Sequence, residues 1–448
     1  MSDTHQHPDS SGAGLKRQIG LATATAVVVG EVVGVGIFLT PAGMTKSLGS
    51  PLLVLAVWLV SGLMAVSGAL CFGELAARYP SAGGGYVYLR ESFGPALAFL
   101  YGWMAFLVLD PGLTAALAVG AASYVGAAAN LSPAWVKALA VGGIAALAAV
   151  NVRGIKLGGW VVRWLTVVKL ALLLFILLWG FGRGLGDWSH FTPFVARRAG
   201  SPPLGEALAG GLVAAFFSFG GWWDLSKLGG EVRDPARTLP RALTLGVVVV
   251  TVVYILTSAA FVYLVAPELV TSREAFAEQA GKALFGTAGA LFFTSVVVVA
   301  VTGSLAAYTM SAPRVYFAMA RDRLFLPSAA RLHPRYGTPA RAVLMQSALA
   351  SLLVVLGTFD QIISYFLFVV VLFIALTVAG LFALRRKGGR AEYATPLYPL
   401  TPVVYIVLSA VLLVLLAAGS PVQAFAGVAV VALGLPVYYL LFRRGGAR

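Results

Sequence analysis

The stretch "VVVGEVVGVGIFLTP" (residues 27–41) decides how this chain is read. It is apolar enough to enter a bilayer, yet it holds three glycines, Gly30, Gly34 and Gly36, and one carboxylate, Glu31. Glycine is among the poorest residues for a helix interior, and an ionised side chain at mid-membrane costs several kcal/mol. A segment that accepts both is doing more than anchoring.

The surrounding composition fixes the class. The chain has 448 residues, of which 59% are hydrophobic and only 11% charged. A soluble fold could not hide that much apolar surface, and runs such as "VVVVTVVYILTSAAFVYLV" (247–265) are long enough to span. Nothing alternates with a period of two, so the expectation is an all-α membrane protein rather than a barrel. The net charge of +15 does not point to nucleic acid, because the arginines sit in short loops between apolar runs. That distribution reads as an orientation signal. The opening "MSDTHQHPDSSGAG" lacks the basic start and cleavage site of a signal peptide, and residues 1–19 read as a disordered cytoplasmic tail.

Twelve spans are expected, at roughly 20–41, 51–74, 95–126, 134–151, 160–182, 206–229, 242–265, 284–312, 341–358, 361–384, 399–418 and 422–441. The turns "SLGSP" (47–51), "NLSP" (130–133), "GTFD" (357–360) and "AGSP" (418–421) separate them. The longest connections are expected at 183–205 and 313–340. Twelve spans put both termini on one side, and most of the 32 lysines and arginines fall in loops on that side. Both ends are therefore expected in the cytoplasm, with the chain in the plasma (cell inner) membrane. Two lysines, Lys169 and Lys227, lie inside spans.

The sixth span, with "FFSFGGWWDLSKLGGEV" (216–232), is as irregular as the first. Interrupted spans at matching places in two five-helix halves point to a transporter of inverted repeats, here 20–182 and 206–384, followed by two further helices at 399–441. Unwinding at the glycines would free N–H groups for a carboxylate and carbonyls for an ammonium group. The competing reading is close helix packing, for which small residues four apart such as Gly30 and Gly34 are suited.

The residues then become familiar. "GEVVGVGIFLTPAGMTKSLGSPLLVLAVWLVSGLMAVSGALCFGELAARYPSAGGGYVYL" resembles the start of the amino acid–polyamine–organocation superfamily, and most of all its L-type amino acid transporter branch. The family's G-x-x-x-G-S-G-I-F stands here as G-E-V-V-G-V-G-I-F. "FFSFGGWWDLSKLGGEVRDPARTLPRA" and "PRVYFAMARDRLFLPSAARLHPRYGTPARAV" resemble the branch's sixth-helix motif and the loop after its eighth helix. The likeness runs from about residue 20 to 440.

The resemblance implies a five-plus-five inverted-repeat fold with broken first and sixth helices plus two C-terminal helices, carrying amino acids by alternating access. Residue by residue, it places the substrate carboxylate on the segment Val33, Gly34, Val35 and Gly36, with N–H donors near Val35 and Gly36. It places the ammonium group on the carbonyls of Val32, Phe217 and Gly220. Phe217 would close the site from outside, and Ser218, Phe219 and Trp223 would shape the side-chain pocket. Val35 stands where the family usually has serine, which removes a hydroxyl but leaves the backbone donors. Lys169 falls where cation-independent members carry a lysine in place of sodium, with Thr309 and Ser311 as expected neighbours. Its competing reading is snorkelling to an interface.

The other intramembrane charges depart from the family pattern. Asp224, Lys227 and Glu231 would share one helical face as an ion-pair ladder, or else contact substrate or a proton. Asp110 lies in the third span. Three roles are open to Glu31: a pair with Lys169, a proton acceptor, or a vestibule residue. Exchange and proton-linked uptake both remain open. Neutral amino acids are favoured as substrates because Phe217, Phe219, Trp222 and Trp223 make the neighbourhood bulky and apolar. Cationic amino acids or polyamines are the alternative substrates, and a receptor or channel of the same fold the alternative class.

Enzyme motifs are absent. "GAGLKR" and "SAGGGY" lack the features of a phosphate-binding loop, and His5, His7, His190 and His333 are scattered, so no cofactor and no metal are expected. Animal members of the L-type branch often pair with a glycoprotein through an external cysteine. The one cysteine here, Cys71, lies near the cytoplasmic end of the second span, so no disulfide-linked subunit is expected.

Overall fold

The computed structural model describes residues 14–34, 36–266, 281–357, 359–389 and 391–442. Within them, extended pairing is confined to two isolated bridges, Ile19–Val232 and Ala82–Leu228. Everything else that is regular is helix. In chain order the elements are α1 (Leu21–Val32), α2 (Gly36–Leu48), α3 (Pro51–Arg78), α4 (Gly85–Phe93) and α5 (Pro95–Met104). A π turn (Ala105–Leu109) joins α5 to α6 (Asp110–Ala128), which is followed by α7 (Pro133–Arg153), α8 (Ile155–Gly182) and α9 (Leu204–Phe219). Then come α10 (Pro235–Leu264), α11 (Gly289–Ser311), α12 (Pro313–Arg321), α13 (Ala340–Leu356), α14 (Phe359–Arg386), α15 (Leu400–Gly419) and α16 (Pro421–Ala432).

Among the described residues, ten helical stretches are long and apolar enough to cross a membrane. Two shorter apolar helices, α1 and α13, stand where the first and ninth spans were expected. The turn signals act as the sequence implied. Ser50, Ser132 and Ser420 each precede a proline at the first helical position, where its fixed φ helps and its missing N–H costs nothing. One expectation fails: the connection 313–340 is not all loop, because α12 continues α11 almost without interruption. Pro313 opens that helix rather than ending the previous one.

The loops sort into two faces. On one face, which carries residues 14–20, Arg90 pairs with Asp322, Arg385 with Glu74, and Lys387 donates to the Glu91 carbonyl. On the opposite, far face, Ser50 donates to the Phe194 carbonyl and Lys137 to that of Val355. Exposed tryptophans mark both levels of α8, with Trp160 and Trp164 near its start and Trp179 near its end. Fifteen to nineteen residues of helix span roughly 22–28 Å, close to the apolar thickness of a bilayer. Inside this frame α1 is enclosed by α8, α10 and α11, while α2 packs on α9 and α3 runs along α10. The two interrupted segments therefore meet at the centre.

Candidate functional site

The first interruption begins as an ordinary helix end. Val33 N–H reaches the Val29 carbonyl at 2.9 Å, and Gly34 N–H turns back to Val32 at 2.8 Å. The carbonyls of the last turn then need donors from elsewhere. Lys169 of α8 gives its ammonium group to Gly30 at 2.8 Å, Val33 at 2.7 Å and Ala300 of α11 at 2.9 Å. Ser304 adds a bond to Gly30 at 2.9 Å, and the Tyr254 hydroxyl one to Val32 at 2.7 Å. A cation at a helix C-terminus also meets the negative end of the helix dipole.

Lys169 is 0% exposed, so it does not snorkel. Its expected neighbours lie about two and a half to three turns further along α11 than the residue it meets, Ala300. Thr309 bonds to Leu305 on its own helix, and Ser311 donates to Glu31 at 3.3 Å. The lysine instead meets Ala300 and passes over Gly303, where a Cβ would lie 2.8 Å from its Cε. Nor does Glu31 form an ion pair with Lys169, whose three hydrogen bonds all go to carbonyls.

The second interruption is made by backbone geometry. α9 ends at Phe219, Gly220 is extended, and Gly221 takes φ 104°, which L side chains rarely adopt. A tight 3-10 turn, Trp222–Lys227, follows. A Cβ on Gly221 would also lie 2.9 Å from Glu31 Cγ, so the two interruptions touch. Gly36 is pressed the same way: its Cβ would come within 2.9 Å of the Ser218 backbone. Gly30 faces a side chain instead, Thr166, at 2.5 Å. The packing reading of the glycines holds for both, Gly30 against a side chain and Gly36 against backbone. One hydroxyl spans the pair: Tyr254 donates to Val32 at 2.7 Å and lies 2.8 Å from the Ser218 carbonyl.

A cavity of about 120 Å³ opens where the interruptions meet. Its base includes Glu31, Val32, Gly34, Gly36, Ser218 and Gly220. Leu113 and Leu117 of α6, Phe217, Trp223 and Val370 of α14 supply apolar walls. Phe217 is 41% exposed at the far-face side of this space. Of the sequence-predicted residues, Val33 and Lys169 lie behind the cavity rather than on it. Phe219 points away, its ring packed on Trp58 and Tyr254. Val35 falls outside the described residues.

Beneath the cavity, toward the face of residues 14–20, sits a buried charge cluster. Lys227 is 2.9 Å from Asp224 and 3.6 Å from Asp110. Asp110 also accepts hydroxyls from Tyr308 at 2.6 Å and Tyr316 at 2.5 Å. The expected ladder stops there, because Glu231 is held instead by Arg314 at 2.9 and 3.1 Å. Buried charges paired in this way are costly to strip of one partner, about 3–5 kcal/mol. Glu31 is the exception, 7% exposed, with its Oε2 lacking a hydrogen-bond partner.

Sequence reasoning missed Tyr254, Ser304, Tyr308, Tyr316 and Arg314. A signal existed for three groups on α11: Ser304, Tyr308 and Ser311 recur at i, i+4 and i+7, one polar face in an apolar helix. Tyr254 carries no pattern of its own.

A membrane-embedded cavity floored by two interrupted helices, closed by charge pairs on one side, belongs to a solute transporter. The family described as "Amino acid permease" matches residues 19–442, and this chain is a member of it. The serine/threonine exchanger SteT of Bacillus subtilis (strain 168) is 31% identical over 437 residues, covering 96% of this chain and 98% of the relative. Human large neutral amino acids transporter small subunit 2 is 32% identical, covering 98% and 83%. Mouse Asc-type amino acid transporter 1 is 30% identical, covering 96% and 82%. The protein is an integral membrane transporter of amino acids and not an enzyme.

Proposed function

We propose that this protein exchanges neutral amino acids across the plasma membrane by alternating access, without sodium. The observation that carries this reading is the pair of facing helix interruptions at one cavity, bridged by Tyr254. In this reading twelve spans form two inverted five-helix repeats, 20–182 and 206–384, with two helices added at 399–441 and both termini cytoplasmic. The leucine, phenylalanine and tryptophan walls favour an uncharged substrate side chain. Relatives named as a serine/threonine exchanger and a large neutral amino acids transporter agree with that choice.

The substrate carboxylate then sits at the start of α2, on the N–H group of Gly36. The Val32 carbonyl already accepts from Gly34 and Tyr254, so the ammonium group is left to the carbonyls of Phe217 and Gly220. Lys169 acts as a fixed surrogate for a sodium ion, holding α1 to α11. The open side of the cavity faces outward, and the Arg314–Glu231 pair belongs to its closed cytoplasmic side.

A second reading, proton-linked uptake, is favoured by one observation: the unpartnered Glu31 Oε2 at the cavity floor. Uptake of radiolabelled amino acids into liposomes separates the two. Acceleration only by internal amino acids establishes exchange. Acceleration by an inward proton gradient into empty liposomes establishes proton linkage through Glu31 or Lys169. Uptake confined to cationic amino acids or polyamines overturns the neutral assignment. Absence of amino acid uptake under all conditions overturns both readings.

A further inference from the structure

A second concavity lies far from the substrate cavity, on the outer wall at the face of residues 14–20. It is a trench of about 780 Å³ between the start of α1, α3, the first turns of α10 and the segment before α15. Leu21, Leu70, Pro240 and Tyr393 give it apolar sides, and Arg237 and Arg241 stand on one edge. The arginines are four residues apart, so both guanidinium groups lie on one face of α10. Leu245, Val248, Val252 and Leu256 continue that face as an exposed apolar stripe.

The length of α10 places this pattern in the membrane. Its 30 residues make a rod of roughly 45 Å, against a hydrocarbon core of about 30 Å. Its opening turns therefore reach headgroup level while the stripe runs down into the acyl region. Arg237 and Arg241 form no ion pair with a described residue, and each is exposed. Glu392 is the one carboxylate lining the trench, so two cations against one anion leave it positive. An apolar channel with a positive mouth, opening sideways into the bilayer, complements a lipid that has acyl chains and a phosphate.

We propose that this trench binds one anionic glycerophospholipid, its phosphate between Arg237 and Arg241 and an acyl chain along Leu245 and Val248. The site has a mechanical address. Leu21 is the first residue of α1, whose entry is tied to the second interrupted segment by Gln18 and Ile19 N–H groups on the Glu231 carbonyl. A lipid seated there touches the root of the half-helix that Lys169 holds at its other end, and it favours the docked position of that root.

Native mass spectrometry of the purified full-length protein, titrated with phosphatidylglycerol or phosphatidylcholine, tests this. One phosphatidylglycerol should remain bound under conditions that strip phosphatidylcholine. The R237Q/R241Q variant should bind it roughly tenfold or more weakly, since each cation near the surface is worth a sizeable factor. Equal retention of both lipids by the wild type overturns the proposal, as does an undiminished phosphatidylglycerol adduct in the variant. Should the double variant fail to fold, R237Q and R241Q are read singly against the same two outcomes. Transport in liposomes with and without phosphatidylglycerol is the second readout: the wild type should be faster with it, and the arginine variants insensitive.

Discussion

The two interruptions at the centre of the molecule do the same thing by different means. The first is held open from outside. Its exposed carbonyls are claimed by Lys169, Ser304 and Tyr254, each from another helix. The second is held open from within, by a left-handed Gly221 and a tight turn whose own Asp224 and Lys227 pair beneath it. One break depends on its neighbours, and the other carries its conformation in its backbone. In the proposed reading both breaks offer backbone to a ligand, and each also brings a carboxylate to the cavity, Glu31 from the first and Asp224 from the second.

This contrast can be broken at each end. Lys169→Ala removes three charge-assisted hydrogen bonds worth about 1.5–3 kcal/mol each from the first break. Uptake should fall to background while the purified protein stays monodisperse on size exclusion, and wild-type rates would refute the role. Gly221→Ala attacks the second break through its own backbone. Strain of about 1–3 kcal/mol, added to the contact with Glu31, should cut uptake tenfold or more, and no change at Lys169 should rescue it. Tyr254→Phe acts on both breaks at once. Losing one hydroxyl shared by two carbonyls should slow transport about three- to tenfold, with thermal stability lowered by a few degrees. Gly30→Ala should give the smallest effect, a few-fold loss. Because its obstacle is a side chain, Thr166→Ala in the same protein should restore activity. Gly36→Ala, which meets Ser218 backbone, should resist any such repair.

Much of the architecture was legible because its exceptions are loud. Glycine pairs and single charges in long apolar runs announce both breaks and Lys169 in the sequence alone. What could not be read was rotation. Which turn of α11 faces Lys169 depends on how α8 and α11 lie against one another, so the resemblance points to Thr309 and Ser311 where Ala300 and Gly303 stand. Glu231 was paired wrongly for a related reason. A ladder of Asp224, Lys227 and Glu231 assumes 3.6 residues per turn, but the chain after Gly221 winds at three, which moves Glu231 around to Arg314. Only part of the cavity wall was legible: Phe217, Ser218 and Trp223 stand on it as the resemblance implied, whereas Leu113 and Leu117 look like any lipid-facing leucines until α6 is seen against the breaks.

The shared hydroxyl of Tyr254 has a mechanical meaning. It works as a yoke between two levers: α1 pulls on it through Val32, and α9 through Ser218. Neither lever can swing far alone without letting go of the pin. In the alternating-access cycle proposed above, both halves would advance in one stroke or first give up this shared contact.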